Sequence, residues 1–298
     1  MHKHFIITSP GRTASFWLAN ALDLHPDIKC SHGALNIPAT EIYLNGSFGH
    51  KAMGDFWKDL KISKTLSHTL DMIYGNLIYE ANNLPKNRRS LLEYFVFQEA
   101  MGKAKYYGNV HCFTFEGLLK LNNTNNGIPF ACANMQRHPV TLIESGQARV
   151  DHTDTQRLLM IYHNQLSPYI EKFRIYETPS NITFLYNTVC RLLYYLLPLR
   201  NPVLLHIPME KITQDKEYFY NIVKYLCPNL EITEEYLNKV FGIGRINLHG
   251  NIKNDPFTIF KKWPQWKQKV FQTVLRDIDD IIPKAKQIEY DLEPFLYF

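Results

Sequence analysis

No CxxC pair, no long Lys/Arg run and no apolar stretch of membrane length occurs in this 298-residue chain. Each absence removes a class of function. The five cysteines, Cys30, Cys112, Cys132, Cys190 and Cys227, are scattered along the chain, which argues against a zinc site or a disulfide framework and for reduced, mostly buried thiols. The most aromatic run, "FLYNTVCRLLYYLLPL", is broken by Asn187 and Arg191 and ends its apolar stretch at Pro198. It falls short of the roughly 20 apolar residues a helix needs to span a bilayer. The apolar run that opens the chain is too short for a signal peptide, so the expected compartment is the cytoplasm. A formal net charge of +5 without a basic track suits small anionic ligands better than nucleic acid. No internal repeat and no Gly/Ser-rich linker divides the sequence.

What is present is a hydrophobic fraction of 45% and an alternation of short apolar runs with helical periods. Strands are expected at 4–8, 28–31, about 106–111, 129–136 and 202–207. Helices are expected at 14–24, 64–82, 89–103, across 153–199 in two pieces, at 215–226 and at 233–241. Pro139 is placed to open a further helix. Residues 242–262 read as a basic loop. The run "WPQWKQKVFQTVLRDIDDII" reads as a closing amphipathic helix with Trp266, Val270, Val274 and Ile278 on one side. Strands alternating with helices predict an α/β class fold, a mostly parallel sheet flanked by helices, in a single domain over 1–298. Elements within 33–103 are expected to cap an acceptor site.

The chemistry is concentrated in "HFIITSPGRTASFWLANAL", where a strand runs through Ser9, Pro10, Gly11 and Arg12 into a helix. A helix N-terminus carries partial positive charge and N–H groups without partners in the helix, so it holds an anion well. Gly11 permits the turn, Arg12 adds charge-assisted bonds, and Thr13 and Ser15 add hydroxyls. The pattern GxxxxGK[ST] of a Walker A loop is absent. The second basic corner is "MQRHPVTLIESG", with Arg137 at a strand end and Ser145 eight positions later on the helix.

These two stretches resemble the phosphate-binding motifs of sulfotransferases that use 3′-phosphoadenosine 5′-phosphosulfate, and the resemblance implies their P-loop-like fold. By it, Arg12 takes the bridging oxygen, Gly11 and Thr13, Ala14, Ser15 and Phe16 form the 5′-phosphosulfate loop, and Trp17 lies beside the adenine. Ala14 stands where the family usually has Gly, and Phe16 where it has Thr or Ser. Arg137 and Ser145 would bind the 3′-phosphate. A basic C-terminal element is matched by Trp266 and Lys267, with Lys261, Lys262 or Arg245 to reach the same phosphate. Glu210 in "LLHIPMEKITQD" matches a family Glu, with Met209 in place of a nucleotide-contacting Tyr.

Sulfuryl transfer to a hydroxyl or amine needs a base for the acceptor proton, and neutral imidazole suits it. His111 in "GNVHCF" and His32 in "CSHG" both end strands. By the resemblance His111 matches the catalytic His of the cytosolic branch, and His32 the position where tyrosylprotein-type members carry a Glu. The expected activity is therefore transfer to a small-molecule or carbohydrate acceptor, releasing adenosine 3′,5′-bisphosphate, without a metal. The alternatives are a kinase-like phosphotransferase on the same corner and a nucleotide-binding module without catalysis.

Overall fold

Five consecutive buried residues, His4–Thr8, leave no solvent face to the first strand, as expected of a strand covered by helices on both sides. It is β1. In the computed structural model, which describes residues 2–9, 13–32, 104–111, 130–147, 155–199, 204–243, 255–278 and 280–298, it is followed by α1 (Ser15–Asp23), β2 (Ile28–His32), β3 (Tyr106–His111) and β4 (Phe130–Gln136). Then come α2 (Pro139–Gln147), α3 (Thr155–Phe173), α4 (Pro179–Leu199), β5 (Leu205–Pro208), α5 (Met209–Ile212), α6 (Lys216–Leu226) and α7 (Glu234–Gly242). The last elements are α8 (Pro256–Lys262), α9 (Gln265–Asp277), α10 (Ile281–Lys286) and a 3-10 turn, Glu293–Leu296.

The strands form one five-stranded sheet in the order β2-β3-β1-β4-β5. β1 is central and runs parallel to β3 on one side and β4 on the other. β2 runs parallel to β3. The α/β class and the parallel sheet expected from the alternating pattern are observed. The order reverses at β1, and in open α/β sheets ligands bind beyond the carboxyl ends of the strands at such a switch point.

By its contacts the chain divides into two compact units, Met1–Met135 with Lys211–Ile246, and Gln136–Glu210 with Asn247–Phe298. In the first, Phe5, Ile7, Leu18, Leu22, Val110 and Phe219 are shielded from solvent. Phe5 sits over Gly108, its cross-strand partner, where an added Cβ would fall 1.9 Å from Phe5 Cζ. That glycine is demanded by space. In the second unit, Trp263 stands edge to face with Phe184 at 5.3 Å and with Phe271 at 5.7 Å, and Phe260 is tilted against Trp263 and Phe271, around α4, α8 and α9.

Two expectations are corrected. Pro256–Lys262 lies within the stretch read as loop and is helical: Asp255 caps it, accepting from Thr258 N at 2.9 Å, and Pro256 occupies its first turn. The closing helix stops at Asp277, because Ile278 turns extended and Asp280 takes φ 70°, after which α10 restarts the chain as a helix. The helices expected at 64–82 and 89–103, and the rest of the acceptor cap at 33–103, lie outside the described residues.

Candidate functional site

The strand ends of the first unit are joined by side-chain bonds. Thr8, the last residue of β1, lies opposite Asn134 on β4, and Asn134 Nδ2 donates to Thr8 Oγ1 at 2.7 Å. On its other side Thr8 lies opposite His111, the last residue of β3. His32, the last residue of β2, pairs with Val110. The two histidines selected from the sequence therefore end neighbouring strands, one register position apart.

Ala14, directly before the first residue of α1, has φ 56° and ψ 25°, the left-handed region. An L-residue with a Cβ is held there at a cost of about 1–2 kcal/mol. A glycine would avoid that cost, which gives a physical reason for the residue the resembling family prefers. Ala14 provides no side-chain cap. The first rung of the helix is Leu18 N to Ala14 O at 3.0 Å, so the N–H groups of Ser15, Phe16 and Trp17 precede it and have no carbonyl within α1 to reach. Helices α6 and α7 solve the same problem with Asp215 and Thr233.

Thr13 directly precedes Ala14. It is 0% exposed, and its Oγ1 has no hydrogen-bond partner among the described residues. A buried hydroxyl left unpaired costs roughly 1–3 kcal/mol. The helix N-terminus and this hydroxyl together are chemically suited to an oxyanion.

Ser15 is buried, and its Oγ lies 3.0 Å from His32 Nε2. Phe16 packs its ring edge-on to the His32 imidazole at 5.3 Å. Burial pushes the His32 pKa down to about 4, so the ring is neutral at pH 7. Trp17 is 6% exposed and stands edge-on to Phe219 at 6.1 Å and Phe241 at 6.2 Å, so its ring is packed as core. Gly11, Arg12 and Arg245 lie outside the described residues. For His111 only the backbone position is described.

In the second unit, Arg137 follows β4 and is buried. Its Nε donates to Thr141 Oγ1 at 3.0 Å, one turn ahead on α2. Ser145, on the same helix, is buried as well. His138, between Arg137 and the helix, accepts from Val140 N at Nδ1, 3.3 Å away. Burial lowers the His138 pKa to about 4, with Asp255 opposing the shift and Arg137 adding to it. Glu210 Oε1 accepts from His138 N at 3.2 Å, and Tyr290 donates its phenol proton to Glu210 Oε2. Sequence reading singled out Glu210 but missed Thr141 and Tyr290. Thr141 had a local signal, four residues after Arg137 in the first turn of a helix opened by Pro139. Tyr290 had none, since its partner Glu210 is 80 residues away.

The C-terminal basic residues are placed as follows. Lys262 is exposed at the end of α8. Lys261 lies over the Phe257 ring with its Nζ 4.5 Å from the centroid. Lys267 is tied to α2 through Gln147 Oε1 at 3.2 Å and covers Phe184, and burial lowers its pKa while Glu144 opposes the shift. Trp263 Nε1 donates to Glu144 Oε2 at 2.9 Å, a second tie to the same helix. Among the described residues no group of three or more His, Cys, Asp or Glu is arranged to hold a metal, and no helix is long and apolar enough to cross a membrane.

No protein-family model matches the chain, and no curated protein matches it. Among solved structures it is similar to the sulfotransferase domain of the olefin synthase from Synechococcus PCC 7002, with a TM-score of 0.42 and 16% identity, covering 98% of this chain and 96% of that one.

Proposed function

We propose that the chain is a cytoplasmic sulfotransferase, moving the sulfuryl group of 3′-phosphoadenosine 5′-phosphosulfate to a hydroxyl or amine of a small-molecule or carbohydrate acceptor. The observation that carries this reading is Thr13. A fully buried hydroxyl without a partner among the described residues, set against a helix start whose N-cap residue Ala14 offers no side-chain cap, is explained if an anionic oxygen completes its bonding. In this reading the residues from Gly11 to Phe16 serve the 5′ end of the donor, Trp17, whose ring is packed in the core, offers only its backbone N–H, and Arg137 and Ser145 serve its 3′-phosphate, with Lys262 among the basic candidates for the same group.

The donor supplies a sulfuryl group, whose sulfur leaves a phosphate oxygen for the acceptor oxygen or nitrogen as the acceptor proton passes to a base. His32 is the base with supporting geometry. Its ring is neutral at pH 7 and is held by Ser15 and Phe16. Ser15 has one hydroxyl proton. If it is committed to a phosphate oxygen, Ser15 Oγ must accept from His32 Nε2–H, and that tautomer leaves Nδ1 as the nitrogen able to take a proton. His111, one register position away, is the second candidate. Arg12 is assigned the charge that builds on the leaving oxygen, where removing one such donor typically costs about 10²–10³ in rate.

Calorimetric titration of the full chain with adenosine 3′,5′-bisphosphate, adenosine 5′-phosphate and Mg-ATP tests the reading. Micromolar binding of the bisphosphate, with much weaker binding of the 5′-phosphate, is expected. A preference for Mg-ATP would move a kinase-like activity to first place. Binding without turnover across a wide acceptor panel would favour a non-catalytic nucleotide-binding module.

A further inference from the structure

A buried arginine at a strand end is useful only if its guanidinium is held in one orientation, because the planar fork discriminates between anions by geometry. In this chain the holding groups are identifiable. Arg137 Nε is engaged by Thr141 Oγ1 at 3.0 Å. That hydroxyl donates to His138 O at 2.9 Å and lies 3.4 Å from Glu210 Oε1. The same carboxylate oxygen receives the His138 N–H. Its other oxygen receives the Tyr290 phenol proton, and the phenol oxygen lies 3.3 Å from the Gln136 carbonyl. The peptide groups on both sides of Arg137 are thus bracketed by contacts that converge on Glu210.

Three elements far apart in sequence meet here: the end of β4 with the first turn of α2, the four-residue helix α5, and the segment after α10. The Tyr290 ring also stands 5.4 Å from the His138 imidazole, filling the space behind the turn. Local rules do not explain this cost. Pro139 opens α2 and His138 Nδ1 already accepts from Val140 N in its first turn, so a carboxylate and a phenol brought from elsewhere do something besides starting a helix.

We infer that Thr141, Glu210 and Tyr290 are positioning residues that orient the Arg137 guanidinium, and that this orientation sets the preference for a nucleotide bearing a 3′-phosphate over one lacking it. The inference rests on the sulfotransferase reading given above. Its consequence is selective: loosening the support lowers affinity for the 3′-phosphate and leaves affinity for the rest of the nucleotide unchanged. A merely structural role would lower both together.

The experiment titrates the full-length wild type, Arg137→Ala, Thr141→Val, Thr141→Ser and Tyr290→Phe with adenosine 3′,5′-bisphosphate and with adenosine 5′-phosphate. Thr141→Val and Tyr290→Phe are expected to weaken the bisphosphate about tenfold, the size of one hydrogen bond, with the 5′-phosphate unchanged. Thr141→Ser, which keeps the hydroxyl, is expected to retain the wild-type ratio. If Arg137→Ala abolishes the preference while Thr141→Val and Tyr290→Phe keep it, the positioning inference is wrong and the sulfotransferase reading stands. If the wild type shows no preference for the bisphosphate, that reading fails and the inference falls with it. Tyr290→Phe removes a single oxygen and decides the matter if Thr141→Val does not fold.

Discussion

Replacing Thr13 with valine keeps the shape of the side chain and removes its hydroxyl. Thr13 is 0% exposed and its Oγ1 makes no hydrogen bond among the described residues, whereas in the unfolded chain the same hydroxyl is bonded to water. The substitution should therefore stabilise the ligand-free protein by about 1–3 kcal/mol, the cost of an unpaired buried hydroxyl. With an unfolding entropy of about 2.1 cal/mol/K per residue, a chain of 298 residues changes by about 0.6 kcal/mol per kelvin, so Tm should rise by roughly 2–5 °C. Affinity should move the opposite way. A hydrogen bond to a charged group is worth about 1.5–3 kcal/mol, so adenosine 3′,5′-bisphosphate should bind roughly 10- to 150-fold more weakly. Scanning calorimetry without ligand and isothermal titration read the two effects, with Thr13→Ser as the control that keeps the oxygen. A fall in Tm for Thr13→Val would mean that the hydroxyl already has a partner in the ligand-free protein, and the argument for an anion at this corner would be refuted.

If His32 is the base, the acid limb of kcat/KM should lie near pH 4, where the free protein's ring takes its proton; a limb near 6.5, the ordinary imidazole value, would remove the role from His32. His32→Ala should lose turnover and still bind the bisphosphate. His138 is also depressed to about 4, so its contribution is complete above the unfolded value of about 6.5 and is lost as pH falls from there toward 4, on the order of 3 kcal/mol in all. Urea midpoints at pH 7 and 4.5 should therefore fall more in the wild type than in His138→Asn, and equal falls would contradict the burial argument. Gly108→Ala should cost about 1–3 kcal/mol by overpacking, since its Cβ would meet Phe5 at 1.9 Å; partial recovery in Gly108→Ala with Phe5→Leu would locate the clash, and a neutral single mutant would deny it.

The first βαβ unit is legible because its signals are local. Phe5, Ile6 and Ile7 are all apolar, "SPGRT" breaks the strand, and Trp17, Leu18 and Leu22 follow at helical spacing. Pro139 marks the start of α2 for the same reason. Failure came where a local signal was outweighed in reading. Asp255 and Pro256 form a cap and a first turn, yet the basic "FKKW" after them suggested loop. The break after Asp277 was illegible because it depends on Asp280 in a left-handed conformation, while the apolar spacing continues through Ile281 and Ile282. At the candidate site, residue type and strand-end position singled out His32 and Arg137, and a hydroxyl beside the expected helix start singled out Thr13. The Ser15 contact of His32 and the Glu210 contact of Tyr290 are tertiary, and no period or spacing encodes them.

Ala14 ties the corner to the core beneath it. An alanine at φ 56° favours leaving that conformation, and such strain persists only where the surroundings over-determine it. Every residue of α1, from Ser15 to Asp23, is buried, and that packing supplies the constraint. If the corner binds an anion as proposed, the fraction of molecules holding Ala14 in that conformation is then a property of the hydrophobic layer under α1. Apparent affinity scales with that fraction. A cavity at Leu18, one helical turn from Ala14, would then let Ala14 relax and weaken anion binding before it unfolds the protein.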